Sequence, residues 1–366
     1  MHAAAARRST PRWRWWPEWS GYAAAAWSLA YGALGLYWAG GGVGFPFGLE
    51  HDPGARSSVL VGARQPVGAP AIAVLGLMGA AAAFAMTRTW GGGKRRAALL
   101  GFAWTVAVGL SLVVPDFRVL VVVAYAPILL VSAAFGRLPE VRAVDAVPWP
   151  VLNQVVCIVG GLVWAATALA YQRRTGGACG HCGRTDAGAA WTTPRAAARW
   201  GRGAVYVAAV VPLVYALTRW AWALGFPLGI TEKFFRQGQA IGLWWRGAAL
   251  ATLAAGGALL TFGLVQRWGE VFPRWLPFAA GKAVPPALAI APAAFVSVIV
   301  TAAGLMFVRV AFAGTFALGN NRVSLDENLG ALAPELLWPA WGIALGAATL
   351  AYYYRTRGRC RYCGRL

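Results

Sequence analysis

Two short cysteine boxes constrain how this chain can fold more than any other feature. Residues 179–184 read Cys-Gly-His-Cys-Gly-Arg and residues 360–365 read Cys-Arg-Tyr-Cys-Gly-Arg, each a C-x2-C-G-R box just beyond a long apolar segment. The boxes stand 181 residues apart, and the same interval separates Gly44-Phe45-Pro46-Phe47-Gly48 from Gly225-Phe226-Pro227-Leu228-Gly229. Leu169-Ala170-Tyr171 and Leu350-Ala351-Tyr352 recur at that interval too. Three matches at one offset point to a duplicated unit, each copy ending in a cysteine knuckle.

The copies belong in a membrane. Hydrophobic residues make up 59% of the chain and charged residues 12%, a balance typical of multi-pass membrane proteins. A net charge of +21 raises the question of nucleic acid. The 33 Lys and Arg, however, lie in short segments between apolar runs, as in cytoplasmic loops, and no basic helix or aromatic platform accompanies them. The first apolar run is too long for a signal-peptide core and continues into Gly-Gly, so it reads as an uncleaved span.

In chain order, residues 1–19 form a basic, tryptophan-rich cytoplasmic tail suited to anionic headgroups. Repeat 1 covers residues 20–184, a linker covers 185–202, and repeat 2 covers 203–366. Spans are expected near 21–40, 69–86 and 149–171, then near 203–224, 241–265, 285–312 and 336–354. Residues 97–136 are harder to place. As one helix they would reach about 60 Å, twice the hydrocarbon thickness, and Pro115-Asp116-Phe117-Arg118 interrupts them. The segment 281–320 is similarly long.

Charge counting selects a topology. Segments 1–20, 87–97, 172–203, 266–284 and 355–366 hold 22 Lys and Arg and 3 acids, whereas 41–68, 136–148, 225–240 and 318–335 hold 7 basic and 8 acidic residues. The positive-inside rule then puts both termini in the cytoplasm and requires an even number of crossings per half. The expected fold is an all-α polytopic bundle of two repeats with about four transmembrane helices each, eight crossings in all. The segments 97–136 and 281–320 each count as one crossing plus a re-entrant or interfacial piece. If they form hairpins, the total rises to nine or ten; five crossings per half would make inverted repeats with the cysteine boxes on opposite membrane faces.

The boxes carry the most specific chemistry. Two thiolates on a tight turn, with a glycine after the second, are half of a tetrahedral zinc site. Parallel repeats would bring Cys179, Cys182, Cys360 and Cys363 together as a structural Zn2+ clamp on the cytoplasmic face. Cys-Gly-His-Cys is also a disulfide-isomerase-type sequence. Such exchange draws on a helix N-terminus to lower a thiol pKa, and these boxes follow helix C-termini instead. His181 reads as a knuckle side chain, and Cys157 as a small packed hydrophobe.

Charged residues inside apolar runs are the other candidates. Arg219 and Arg246 stand among tryptophans near span ends and read as snorkelling. Asp116, Arg118 and Arg309 either sit near an interface or line a pathway between the repeats. Asn153 and Gln154 suit hydrogen bonds between helices. The two Gly-Phe-Pro-x-Gly segments read as tight turns, or as the mouth of a site with Glu50, His51, Asp52, Glu232, Lys233 and Arg236 nearby. No phosphate loop, paired catalytic carboxylate, metalloprotease helix or nucleophile elbow is present, and three histidines are too few for a multi-histidine site.

Residues 36–48, Arg95-Arg96 and the closing cysteine box resemble multi-pass membrane proteins of unknown function from high-GC Gram-positive bacteria. Each half resembles a four-helix membrane family of those organisms, here duplicated. The resemblance implies membrane architecture and no activity. A non-enzymatic cell-membrane scaffold or interaction protein is therefore expected, ahead of a small-solute transporter or channel and a membrane thiol-disulfide oxidoreductase. The expected partners are the bilayer with its anionic lipids and a second copy or another protein, not nucleic acid.

Overall fold

The computed structural model describes residues 16–88, 92–134, 147–275, 277–313, 315–318, 321–324 and 327–365. Most of the basic tail and of the segment 136–148, expected as an outer loop, lies outside the described residues.

Among the described residues, six helices are long and apolar enough to cross a membrane. They are α2 (Gln65–Thr87), α3 (Gly93–Val108, continued by a π-helical turn at Gly109–Val113), α5 (Trp149–Thr175), α6 (Pro194–Ala223), α8 (Leu243–Phe262) and α9 (Pro286–Ala313). Two further helices, α1 (Trp16–Ala39, 24 residues) and α11 (Trp338–Thr356, 19 residues), are not among those six. At 1.5 Å per residue they reach about 36 Å and about 28 Å. Shorter elements are α4 (Phe117–Ala134), α7 (Glu232–Ala240) and α10 (Leu329–Leu336), with an antiparallel hairpin of β1 (Thr315–Leu318) and β2 (Asn321–Ser324).

The helices turn large apolar side chains outward and small ones inward. Leu75, Leu77, Met78, Leu217, Leu260 and Ile343 are exposed, while the buried faces are rich in alanine and glycine. In lipid the outward leucines cost nothing, and close backbone approach becomes the main source of attraction. α1 meets α2 in this way: a Cβ added at Gly76 would stand 2.5 Å from the Gly32 Cα. Trp164 Nε1 donates to Ser28 Oγ (3.2 Å) and Tyr31 donates to Asn153 Oδ1 (2.9 Å), tying α5 to α1. Cys157 is buried beside this pair, and beyond packing as expected its thiol donates to the Tyr31 hydroxyl (3.5 Å).

One contact recurs in the two halves. A Cβ added at Gly161 would stand 2.1 Å from Ser111 Oγ and 2.8 Å from Ala107 O, and one at Gly342 would stand 2.1 Å from Thr301 Oγ1 and 2.8 Å from Ser297 O. The first contact packs α3 against α5, the second α9 against α11.

Residues 97–136 do not form one helix. Pro115 cannot supply an N–H to continue α3, and Asp116 starts α4, its Oδ1 accepting from Arg118 N at 2.9 Å. α4 and the π-helical turn pack on α9 from the other half, with Phe117 against Phe307. α6 begins at Pro194, where Thr193 caps it by accepting from Ala196 N. The largest buried cluster bridges the halves, joining Val119, Val151 and Ile158 to Val300, Trp338 and Trp341.

Candidate metal centre

α5 ends at Thr175, and Gly177 in the left-handed region (φ +67°) swings the chain into the first knuckle. Cys179 N donates to Arg184 O (2.9 Å) and Gly183 N to Cys179 O (2.8 Å), closing a tight loop around the two sulfurs. The second knuckle repeats both bonds, from Cys360 N to Arg365 O (2.9 Å) and from Gly364 N to Cys360 O (2.9 Å). Gly183 and Gly364 both adopt φ +71°, a conformation that a side chain disfavours.

The knuckles face each other. All four sulfurs, of Cys179, Cys182, Cys360 and Cys363, lie within 4.8 Å of one another, and Cys182 Sγ stands 3.6 Å from Cys363 Sγ. The cysteines are free thiols, not disulfides. Four thiolates around Zn2+ at about 2.3 Å would be about 3.8 Å apart, so the cluster has the size of a tetrahedral metal site. Burial opposes ionisation of Cys179, but the amides of Cys182 and His181 directed at its sulfur outweigh this and lower its pKa. Burial and the neighbouring sulfurs push Cys182 up to about 12.

Arginines hold the knuckles together. Arg184 Nη1 donates to Arg365 O and Arg365 Nη1 to Arg184 O, both at 3.1 Å. Arg184 also reaches Gly358 O, Arg357 reaches Cys182 O, and Arg173 reaches His181 O. Their positive charge offsets the excess negative charge of a four-thiolate site. His181 is not placed as a ligand; its ring stacks on Tyr362, with centroids 3.4 Å apart. The arginine of each C-x2-C-G-R box therefore has a structural role that the cysteine spacing did not reveal, although its recurrence in both boxes was a visible signal.

The candidate pathway residues form a second cluster. Arg118 donates to both Asp116 oxygens and, through Nη1 and Nη2, to Asp52 at 2.8 and 2.7 Å. Asp116 is 3% exposed, and Gln154 Nε2 donates to it at 3.0 Å. Arg309, half-buried on α9, lies in the field of Asp116. Asp116 lines a cavity of about 190 Å³ between the halves, otherwise walled by apolar residues including Leu112, Leu305 and Met306. Asn153 and Gln154 make the interhelical bonds expected of them.

Arg219 departs from the snorkelling expected of it. It is buried on α6, pairs with Glu335 of α10, and lies over the Tyr215 and Trp222 rings. Sequence reading had placed Glu335 in an outer loop, so its role as partner was missed. Arg246 is exposed, as snorkelling requires. Gly44, Gly48, Gly225 and Gly229 all have positive φ, as the tight-turn reading requires. The chain matches no protein family, no curated protein and no solved structure.

Proposed function

We propose that this chain is a non-enzymatic membrane scaffold, built from two four-helix repeats that a cytoplasmic zinc site clamps together. The first repeat is α1, α2, α3 and α5; the second is α6, α8, α9 and α11. α4 is the interfacial piece of the first repeat and adds no crossing. The observation that carries this reading is the convergence of four free sulfurs from boxes 181 residues apart. Zinc is the ion of this reading because four thiolates in a closed site are a donor set of structural zinc, one that iron–sulfur centres share.

The clamp also bears on topology. Boxes that meet must lie on one membrane face, which calls for an even number of crossings between them. α6, α8, α9 and α11 supply four. The matched Gly161 and Gly342 contacts support a parallel repeat, and an inverted one would keep the boxes apart. The basic flanks of the boxes put that face in the cytoplasm.

Sidedness is tested with single added cysteines at exposed positions and a membrane-impermeant thiol reagent. Gly62→Cys should label in intact cells, and Ala187→Cys only after permeabilisation. Equal labelling of both in intact cells would contradict the topology.

A second reading has one observation in its favour. The Asp116-lined cavity between the halves suits a small-solute pathway. Under that reading, Asp116→Asn would abolish solute flux in proteoliposomes while leaving zinc content unchanged.

A further inference from the structure

The two halves differ most at one connection. Five residues join α2 to α3, whereas 23 residues join α8 to α9. The longer connection folds into an arm. Val284 N donates to Glu270 O (2.8 Å), Phe272 N to Lys282 O and Gly281 N to Phe272 O (both 3.0 Å), and Val271 bridges Ala283. Its base is fixed to α11, where Tyr352 donates to Gly269 O (2.7 Å) and Arg355 pairs with Glu270 (2.8 Å). The arm therefore sits at the end of the bundle that carries the cysteine boxes.

Its tip is apolar and exposed. Trp275 is 78% exposed and Phe278 95% exposed, and Phe278 holds φ +67°. A bulky residue in the left-handed region is an outlier that persists at functional positions. Beneath the arm, α8, α9 and α11 stand apart around a cavity of about 890 Å³, walled by Leu260, Leu264, Trp268, Phe272, Trp275 and Trp341. This volume falls in the range of about 300–1,000 Å³ found for small-molecule sites. Among the described residues of its wall, Thr261 alone carries a hydroxyl.

The charges select the occupant. Arg267, Arg274 and Lys282 are all exposed; Arg267 precedes the cavity-lining Trp268, and Arg274 precedes the cavity-lining Trp275. The one acid on this connection, Glu270, is engaged by Arg355. An apolar cavity at a span end, beside cations and interfacial tryptophans, matches a lipid with a hydrocarbon tail and a negative headgroup.

We propose that this cavity binds one anionic phospholipid, its acyl chain between α8 and α9 and its phosphate met by Arg267, Arg274 and Lys282. The proposal rests on the membrane reading given above.

Native mass spectrometry of the full chain in detergent, with phosphatidylglycerol or phosphatidylcholine of identical chains added, tests it. One phosphatidylglycerol should be retained per chain, at least tenfold more tightly than phosphatidylcholine. Arg267→Gln/Arg274→Gln/Lys282→Gln should erase that preference, at roughly a factor of five per cation. Gly257→Phe should expel both lipids. Gly257 lines the cavity, and a Cβ there has open space, so the variant should fold. Zinc content and a monodisperse elution profile control for folding.

Equal retention of the two lipids, retention unaffected by either variant, or a dimer in place of bound lipid would overturn the proposal. Failure of the wild-type chain to partition into membranes would instead overturn the membrane reading.

Discussion

Arg184 and Arg365 each donate a hydrogen bond to the other's backbone carbonyl, both at 3.1 Å. Equivalent residues of the two cysteine boxes thus hold each other in place, and a local twofold relationship at the four-cysteine cluster follows. His181 stacked on Tyr362 obeys the same relationship.

Removing this reciprocal pair should loosen the metal without removing a ligand. Arg184→Ala and Arg365→Ala are each expected to lower zinc affinity by about 10- to 100-fold, the range for groups that orient metal ligands. Competition with a chromogenic chelator measures it. The two variants should behave alike, and a large difference between them would argue against the twofold arrangement.

The pH response should differ between the metal-free and loaded forms. In the metal-free protein Cys182 has its pKa raised to about 12, so the folded state favours the neutral thiol. That contribution is fully present below the ordinary thiol range and is lost as pH rises through about 12. Zinc replaces the protons, so the loaded protein should lose stability at acid pH instead, as protons compete for the thiolates. In the metal-free protein the lowered Cys179 and the raised Cys182 act in opposite directions, so with chelator the melting curve should change little across pH 5 to 9, whereas without chelator the loaded protein should lose stability toward pH 5.

Arg118 pairs with both Asp52 and Asp116, and all three are largely buried. Arg118→Met should leave two uncompensated carboxylates and cost about 3–5 kcal/mol. Thermal unfolding in detergent should register this as a clear fall in Tm. A neutral result would mean that water reaches the cluster.

Gly161→Ala and Gly342→Ala place a methyl group against the same kind of neighbours, a hydroxyl and a backbone carbonyl. Each should cost about 1–3 kcal/mol. Similar losses in the two variants would support the structural equivalence of the halves, and a loss in only one would count against it.

The sequence carried some of this plainly and hid the rest. The convergence of the four cysteines was legible because they recur at a fixed spacing and a fixed offset. The helical spans were legible because long apolar runs between basic segments have few other structural outcomes. The partner of Arg219 was not legible: Glu335 is 116 residues away, and a carboxylate in an apparent loop gives no sign that a helix will bury it. Asp52 likewise lies 66 residues before Arg118, and it reaches that side chain as the cap of a 3-10 turn at Pro53–Ser57 that packs on α9. The arm at 270–284 has the sequence of a plain basic loop, because its order comes from backbone hydrogen bonds that side-chain patterns do not encode.

The zinc content of purified protein, with wild type measured beside Cys360→Ser/Cys363→Ser, decides the clamp. About one zinc per chain is expected in the wild type and none in the double variant, since two remaining thiolates cannot close a tetrahedral site. A wild-type chain without zinc, whose four box thiols all react quickly with a labelling reagent, would contradict the shared site and reopen the topology.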